Sequence, residues 1–218
     1  MIYRRFCIAL ILGLLLVTSV RAADAEKEFL PLFDGKTLDG WKQHGGKAKY
    51  AVEDGAIVGT SVPNTSNSFL CTEKTYGDFI LELEFRGDSA LNSGVQIRSE
   101  VNANDRVFGY QVEIDPSARA WSGGIYDEGR RGWLNNLKNN EPARKAFKQD
   151  EWNKFRIEAK GDSIKTWITG VAAADLNDSK TPRGFIGLQV HGVGKRTEPL
   201  HVRFRNLRIK ETEPNPSK

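Results

Sequence analysis

The chain has 218 residues, with 32 basic and 28 acidic side chains and a formal net charge of +4. Three arginines lie in residues 1–22, which hold no acid, so residues 23–218 carry 29 basic and 28 acidic side chains. This near balance of mixed charges is typical of a solvated surface and removes the compositional support for a nucleic-acid partner, so none is expected. A chain of this length can bury one core without disulfides or a structural metal.

The N-terminal residues have the pattern of a secretory signal peptide. Arg4 and Arg5 precede an apolar run over residues 6–17, and Val20-Arg21-Ala22 places small or short residues where a signal peptidase cleaves. The run is shorter than the roughly 20 residues that cross a bilayer. We therefore predict a signal peptide over residues 1–22 and an exported, periplasmic or extracellular protein that has left the membrane. An uncleaved anchor is the alternative.

Cysteine usage and known motifs exclude several kinds of chemistry. Cys7 belongs to the predicted leader, so Cys71 is the single cysteine of the mature chain and an internal disulfide is impossible. Cys71 lies in the strand-like run 68–72, which favours a buried structural thiol over a catalytic one. The sequence contains no paired-cysteine zinc motif, no phosphate-binding loop and no Gly-x-Ser-x-Gly motif.

The mature chain has the pattern of short strands separated by turns. Glu53-Asp54-Gly55 predicts a hairpin between residues 50–52 and 56–58. Apolar and polar residues alternate in many other segments, as expected for strands with one buried face. The pattern predicts an all-β sandwich or jelly roll over residues 23–211, with a short helix at 141–148 in an irregular stretch at 127–150, and a disordered tail at 212–218. The predicted strands are 78–86, 93–100, 110–115, 152–160, 164–169, 185–191 and 200–209.

Three of these segments carry a distinct set of polar side chains on one side. The set mixes amides with one arginine, one glutamate and one histidine, which suits hydrogen bonding to a polar ligand. The outward residues of segment 78–86 are simple charges and indicate an ordinary solvent face. If the three strands are neighbours, the set lines one concave sheet face; a plain solvent-facing surface is the alternative. Its members are Gln96, Arg98, Gln111, Glu113, Gln189 and His191.

Aromatic residues point to the same kind of ligand. Trp121, Tyr126 and Trp133 lie around Gly123-Gly124 and in the irregular stretch, and sugars stack on such rings. We expect the loop at 126–133 to border the pocket, with Trp133 stacking on a ring and Arg130 and Arg131 reaching hydroxyls or a leaving group. A mobile loop with two solvated arginines is the alternative.

Four segments, taken together, carry a family resemblance. They are LFDGKTLDGW at 32–41, NSG at 92–94 leading into Arg98, GFIGLQVHG at 184–192 and VRFRNLRIK at 202–210. In this order they resemble the 3-keto-disaccharide hydrolase family over residues 29–211. The resemblance implies a concanavalin-like jelly roll of two antiparallel sheets, exported by bacteria. It also implies cleavage of glycosides whose glucose C3 has been oxidised to a ketone.

A ketone at C3 acidifies the hydrogen at C2, so the implied reaction is C2 deprotonation, elimination of the C1 substituent and hydration. This route needs a base, an acid and a group that stabilises the enolate oxygen. We assign these roles to Glu113, His191 and Arg98, and the first two can be exchanged. A divalent metal bound by Glu113 and His191 is an alternative electrophile, and no other cofactor is expected. Sugar hydroxyls are assigned to Gln96, Gln111 and Gln189.

Two other functions stay open from the residues alone. A non-catalytic carbohydrate-binding module would have a shallow aromatic platform without a convergent acid and base, and an adhesive sandwich would have neither feature. Glu113 and Arg98 could also form a simple cross-strand ion pair. The sugar, linkage, anomer and oligomeric state are left open by the sequence.

Overall fold

The structure is a computed structural model that describes residues 29–212. The predicted signal peptide and residues 213–218 of the predicted tail lie outside the described residues. Within residues 29–212, no helix is long and apolar enough to cross a membrane.

Two antiparallel sheets form the domain, as the sequence predicts. A two-residue strand, β1 (Leu30–Pro31), comes first in the chain. The first sheet comprises β3 (Lys49–Glu53), β4 (Ala56–Thr60), β6 (Phe79–Gly87), β11 (Asn153–Lys160), β12 (Ser163–Ile168), β13 (Val171–Asn177) and β15 (His201–Glu211). The second comprises β2 (Trp41–Gly45), β5 (Ser68–Thr72), β7 (Ser93–Val101), β8 (Val107–Ile114), β9 (Ile125–Glu128), β10 (Gly132–Asn135) and β14 (Phe185–Val190). The strand order is β13-β12-β11-β6-β15-β4-β3 in the first sheet and β10-β9-β8-β7-β14-β5-β2 in the second.

Alternating apolar residues of the two sheets form the core between them. On β6, Leu81, Leu83 and Phe85 are at most 1% exposed, whereas Arg86 is exposed. On β7, Val95 and Ile97 are fully buried in the same core. The residues between them therefore lie on the opposite face of the second sheet, which is where the candidate site is found.

The local turn chemistry agrees with the sequence. The predicted hairpin joins β3 to β4, and Asp54 and Gly55 both have positive φ angles, 49° and 73°, as its tight turn requires. The short helix is α1 (Glu141–Ala146), whose N-cap residue Asn140 accepts a hydrogen bond from the Ala143 amide.

The prediction of an irregular stretch at 127–150 is wrong in part. The hairpin β9–β10 occupies much of its first half, and β13 was also not predicted. The strands of this hairpin have only four residues each, and β13 contains three consecutive alanines, so the alternation is short or weak.

Candidate active site

A cavity of about 470 Å³ lies on the face of the second sheet that is turned away from the core. Its volume is within the range of about 300–1,000 Å³ that is usual for small-molecule sites. Five of the predicted site residues line it: Gln111, Glu113, Tyr126, Trp133 and His191. Asn67, Asn92, Arg119 and Glu128 complete the wall. We call this cavity the inner cleft.

Glu113 is a buried carboxyl group on the wall of the inner cleft. Its side chain projects from β8, and the residue is 5% exposed. Oε1 accepts a hydrogen bond from Asn92 Nδ2 at 2.6 Å, and Oε2 accepts one from Gln111 Nε2 at 2.8 Å. Burial raises the pKa of Glu113 to about 7, although both amide donors lower it. A carboxyl that titrates near neutral pH can take up and release a proton during turnover.

A row of buried amides continues from Glu113 across the sheet. Gln96 Nε2 donates to Gln111 Oε1 at 2.8 Å, and Ser99 Oγ donates to Gln96 Oε1 at 2.7 Å. Gln96 is fully buried and does not line the inner cleft, so it supports Gln111 from behind. We call Ser99, Gln96, Gln111 and Glu113 the amide row.

Gly94 makes the amide row possible. It pairs with Glu113 in the β7–β8 register, and Gln111 extends over its backbone. A Cβ atom at this position would lie 2.6 Å from both Cγ and Cδ of Gln111. The glycine of the NSG segment therefore provides the space in which Gln111 reaches Glu113.

Arg98 does not lie in the inner cleft, and its predicted role at the enolate oxygen is wrong. The β7–β8 register shifts between Ile97 and Glu100, and Arg98 has a φ angle of 44° there, so it leaves the face that Gln96 occupies. Its guanidinium donates to the carbonyls of Gly77 and Gly161, each at 2.7 Å, and to Asp78 at 2.9 Å. Arg98 is therefore a buried structural link to the first sheet, and it forms no ion pair with Glu113.

Arg130 and Arg131 do not reach the cleft either. Asp127 is fully buried and alternates with Tyr126 and Glu128, so it lies on the opposite side of the β9–β10 hairpin. Both arginines fold back onto this carboxylate. Arg130 also donates to Thr181 Oγ1 at 2.7 Å, and Arg131 donates to Asp178 at 2.8 Å. The prediction is thus wrong for both arginines: each is ion-paired, Arg130 largely covered and Arg131 at the surface.

Aromatic rings and one arginine form another part of the cleft wall. Trp133 makes edge contacts with Trp121, at a centroid distance of 4.9 Å, and with Tyr126, at 5.4 Å. The Arg119 guanidinium lies 4.9 Å from the Trp121 ring and 5.4 Å from the Trp133 ring. Arg119 Nε donates to Asp115 at 2.7 Å, which holds this positive charge at the cleft.

The two predicted site residues of the β14 segment have different surroundings. Gln189 is fully buried next to the cleft wall, and neither polar atom of its side chain has a hydrogen-bond partner. His191 is exposed and lines the inner cleft. Its Nδ1 lies 2.9 Å from the Gly192 carbonyl oxygen, which can only accept. In this contact the Nδ1 atom therefore acts as the donor.

Sequence reasoning missed four residues of the wall. Asn92 belongs to the quoted NSG segment, and Glu128 lies two residues after Tyr126, so extending the alternation by one step would have identified it. Asn67 and Arg119 carry no such signal, because loops bring them to the cleft. Asn67 Nδ2 donates to Glu128 Oε1 at 3.4 Å, and its Oδ1 accepts from the Gly192 amide at 3.0 Å.

In the described part of the chain, the positions of the side chains give little support to metal or thiol chemistry. Residues 29–212 contain no group of three or more His, Cys, Asp or Glu side chains placed to hold a metal ion. Glu113 and His191 could supply only two ligands, and both Glu113 oxygens already accept amide hydrogens. Cys71 is buried and free, and burial raises the pKa of its thiol, as expected for a structural cysteine.

These features define a two-sheet β-sandwich of the concanavalin and galectin class with a polar, aromatic-walled cleft and a buried carboxyl. A 12% identical Bacillus subtilis protein with a galectin-like fold superimposes with a TM-score of 0.63, covering 86% of this chain and 96% of that one. Residues 28–210 match the family model of the 3-keto-alpha-glucoside-1,2-lyase-like domain, and the chain belongs to this family. The predicted fold and family are confirmed.

Two further relatives agree with this assignment. A 3-keto-disaccharide hydrolase from Bacteroides thetaiotaomicron is 25% identical over 250 residues, covering 88% of this chain and 84% of that protein. A proposed glycosyl hydrolase from Parabacteroides distasonis, 19% identical, has a TM-score of 0.65 and covers 88% of this chain and 97% of that one. The family description and the name of the Bacteroides relative both denote enzymes, so the prediction of an enzyme is confirmed.

Proposed function

We propose that this protein cleaves 3-keto-glucosides, including 3-keto-disaccharides, by deprotonation at C2, elimination and hydration. The observation that carries the proposal is Glu113, a buried carboxyl with a pKa of about 7 on the wall of a cleft that also holds amide, aromatic and cationic groups. Family membership and the name of the Bacteroides relative support the choice of substrate.

Glu113 is the proposed base. A C2–H bond next to a ketone breaks with its electron pair moving to C2–C3 and negative charge moving to the C3 oxygen. Asn92 and Gln111 both donate to Glu113, which is the arrangement that an unprotonated carboxylate requires. With a pKa of about 7, Glu113 is also a stronger base than an exposed glutamate.

Arg119 takes the place of Arg98 as the proposed stabiliser of the enolate oxygen. It lines the inner cleft together with Glu113, and its positive charge lowers the pKa of Glu113. Asp115 and the two tryptophan rings hold the guanidinium in place. A fixed positive charge near the developing oxyanion stabilises it without reorganising at the moment of reaction.

The remaining cleft residues bind the sugar in this proposal. Trp133 and Tyr126 present ring surfaces to the apolar face of a pyranose, and Gln111 and Asn92 present amides to its hydroxyls. When C1–O breaks, the leaving oxygen needs a proton. Two groups of the cleft can supply it, His191 and Glu128.

A direct assay tests the proposed function. The purified protein is incubated with a 3-keto-disaccharide, and released sugar is followed over time beside the Glu113→Gln variant. We expect turnover by the wild type and a loss of at least about a hundredfold in the variant, the lower end for losing a general base. Sugar binding without turnover would instead support the carbohydrate-binding module.

We also propose that the protein is exported. Residues 1–22 support this proposal, because they combine a charged start, a short apolar run and small residues at the end. An intact-mass measurement of protein from the native host should find Ala23 or Asp24 at the N-terminus. Membrane-bound protein that retains residues 1–22 would contradict it.

A further inference from the structure

A second cavity adjoins the inner cleft and has no role so far. Its volume is about 440 Å³, and Asn67 and Glu128 belong to the walls of both cavities. We call it the outer cavity. Its lining includes Asn104, Asp105 and Arg106 of the turn between β7 and β8, together with Phe69, which is almost fully buried.

The outer cavity is held in shape by contacts between distant segments. Asp105 accepts hydrogen bonds from His44 Nδ1 at 2.6 Å and from the Gly45 amide at 2.9 Å, which ties the β7–β8 turn to β2 at the sheet edge. The His44 ring stacks on Phe185 with a centroid distance of 6.3 Å. An opening that is formed in advance binds a ligand without a large ordering cost.

We infer that the outer cavity binds the leaving sugar and that Glu128, on the wall shared by the two cavities, is the proton donor to the glycosidic oxygen. The inference rests on the proposed function. Each cavity is large enough for one ring of a disaccharide, and the bond between two rings bound in this way crosses the shared wall. Asn104 and Arg106 are exposed and offer hydrogen-bond donors to the second ring.

The surroundings of Glu128 suit a proton donor better than those of His191. Glu128 lines both cavities, so it lies between the inner cleft, which His191 lines, and the outer cavity, which Arg106 lines. Burial raises the pKa of Glu128 and favours the protonated form. His191 is exposed, and its Nδ1 is engaged with the Gly192 carbonyl.

The proton transfers balance over the complete reaction. Glu113 removes the C2 proton, the electron pair forms the C1=C2 bond, and the C1–O bond breaks as Glu128 gives its proton to the leaving oxygen. Water then adds, with its oxygen bonding to C1 and its proton passing to Glu128. Glu113 returns its proton to C2, so both carboxyls regain their starting states without any other reactant.

Leaving groups of different acidity test the role of Glu128. The Glu128→Gln variant is assayed on a 3-keto-disaccharide and on 4-nitrophenyl 3-keto-glucoside, whose nitrophenolate departs without protonation. We expect a loss of about a hundredfold or more on the disaccharide, the usual contribution of a general acid, and little change on the nitrophenyl substrate. Activity retained on the nitrophenyl substrate also proves that the variant is folded. Glu100→Gln, at an exposed strand position outside both cavities, is the matched control.

Several outcomes would overturn the assignment. An equal loss on both substrates, or no loss on the disaccharide, would show that Glu128 does not protonate the leaving group. A loss confined to the disaccharide in His191→Ala, with Glu128→Gln unaffected, would assign that role to His191. A wild type that is inactive on both substrates would overturn the proposed function itself, together with this inference.

A second variant tests the outer cavity without touching the carboxyl groups. Asn104→Ala should raise the KM for a 3-keto-disaccharide about two- to tenfold, the value of one hydrogen bond. The KM for methyl 3-keto-glucoside should stay unchanged, because a methyl group leaves the outer cavity empty. Equal effects on both substrates, or no effect on the disaccharide, would contradict a leaving-sugar site there.

Discussion

Replacing Glu113 with glutamine should remove a loss of stability that the wild type shows as the pH rises, even though it also removes the proposed base. The folded protein raises the pKa of this carboxyl from 4.5 to about 7, so the folded state binds its proton more tightly than the unfolded state does. Between these two values the folded state holds more protons, and the free energy of unfolding falls as the pH rises. The difference corresponds to about 3 kcal/mol at 1.36 kcal/mol for each pKa unit.

The measurement is urea unfolding of wild type and Glu113→Gln, followed by tryptophan fluorescence at several values between about pH 4 and pH 8. The difference in unfolding free energy between the two proteins should change by about 3 kcal/mol over this interval, with the variant gaining at high pH. Subtracting the two unfolding free energies removes the contribution of every other titrating group, because both proteins share these groups. Glu100→Gln, at an exposed position, should show no such change. If the difference in unfolding free energy between wild type and variant does not depend on pH, burial does not raise the pKa of Glu113, and the reasoning is refuted.

Three further substitutions follow from the site. Gly94→Ala should displace Gln111 from Glu113, and the loss of a donor that lowers the pKa should move the acidic limb of the pH–rate profile to higher pH. Arg98→Ala should cost about 3–5 kcal/mol of stability, because it leaves the partly buried Asp78 carboxylate unpaired, while the kcat of the folded fraction stays the same. Trp133→Ala should raise the substrate KM about two- to tenfold, the value of an aromatic contact, with little change in Tm.

The results that would contradict these expectations differ. An unmoved pH–rate profile in Gly94→Ala would show that Gln111 does not tune the base. Normal stability together with lost turnover in Arg98→Ala would return this arginine to a catalytic role. An unchanged KM in Trp133→Ala, with the fold intact, would remove the stacking role of that ring.

The sequence predicted the strands that bury one face because the core imposes a strict period of two. This period identified β6, β7, β8, β11 and β12, and it also brought Gln96, Gln111 and Glu113 onto one face. It failed at Arg98, where one bulge changes the face without changing the pattern of residue types. The period of two can be read from the order of residue types along the sequence. The register between neighbouring strands is decided by how they pair.

Other errors come from contacts that only the folded chain makes. Arg130 and Arg131 occupy the loop that sequence reasoning chose, but a buried carboxylate on the far side of the hairpin draws them away. Arg119 and Asn67 reach the cleft from loops whose paths have no periodic signal. A residue on a strand can therefore be located from sequence, whereas a residue on a loop needs its partner to be known.

The amide row has a direction, and the charge on Glu113 sets it. As a carboxylate, Glu113 accepts from Gln111, which then accepts from Gln96, which accepts from Ser99. Once protonated on the oxygen that faces Gln111, Glu113 becomes a donor, and both glutamine side chains must rotate by half a turn to keep every bond. Ser99 can accept this reversal because its hydroxyl also reaches the Ile97 carbonyl at 3.0 Å. A proton that enters or leaves the site on this oxygen is thus coupled to a reversal of dipoles that runs through the sheet, away from the bound sugar.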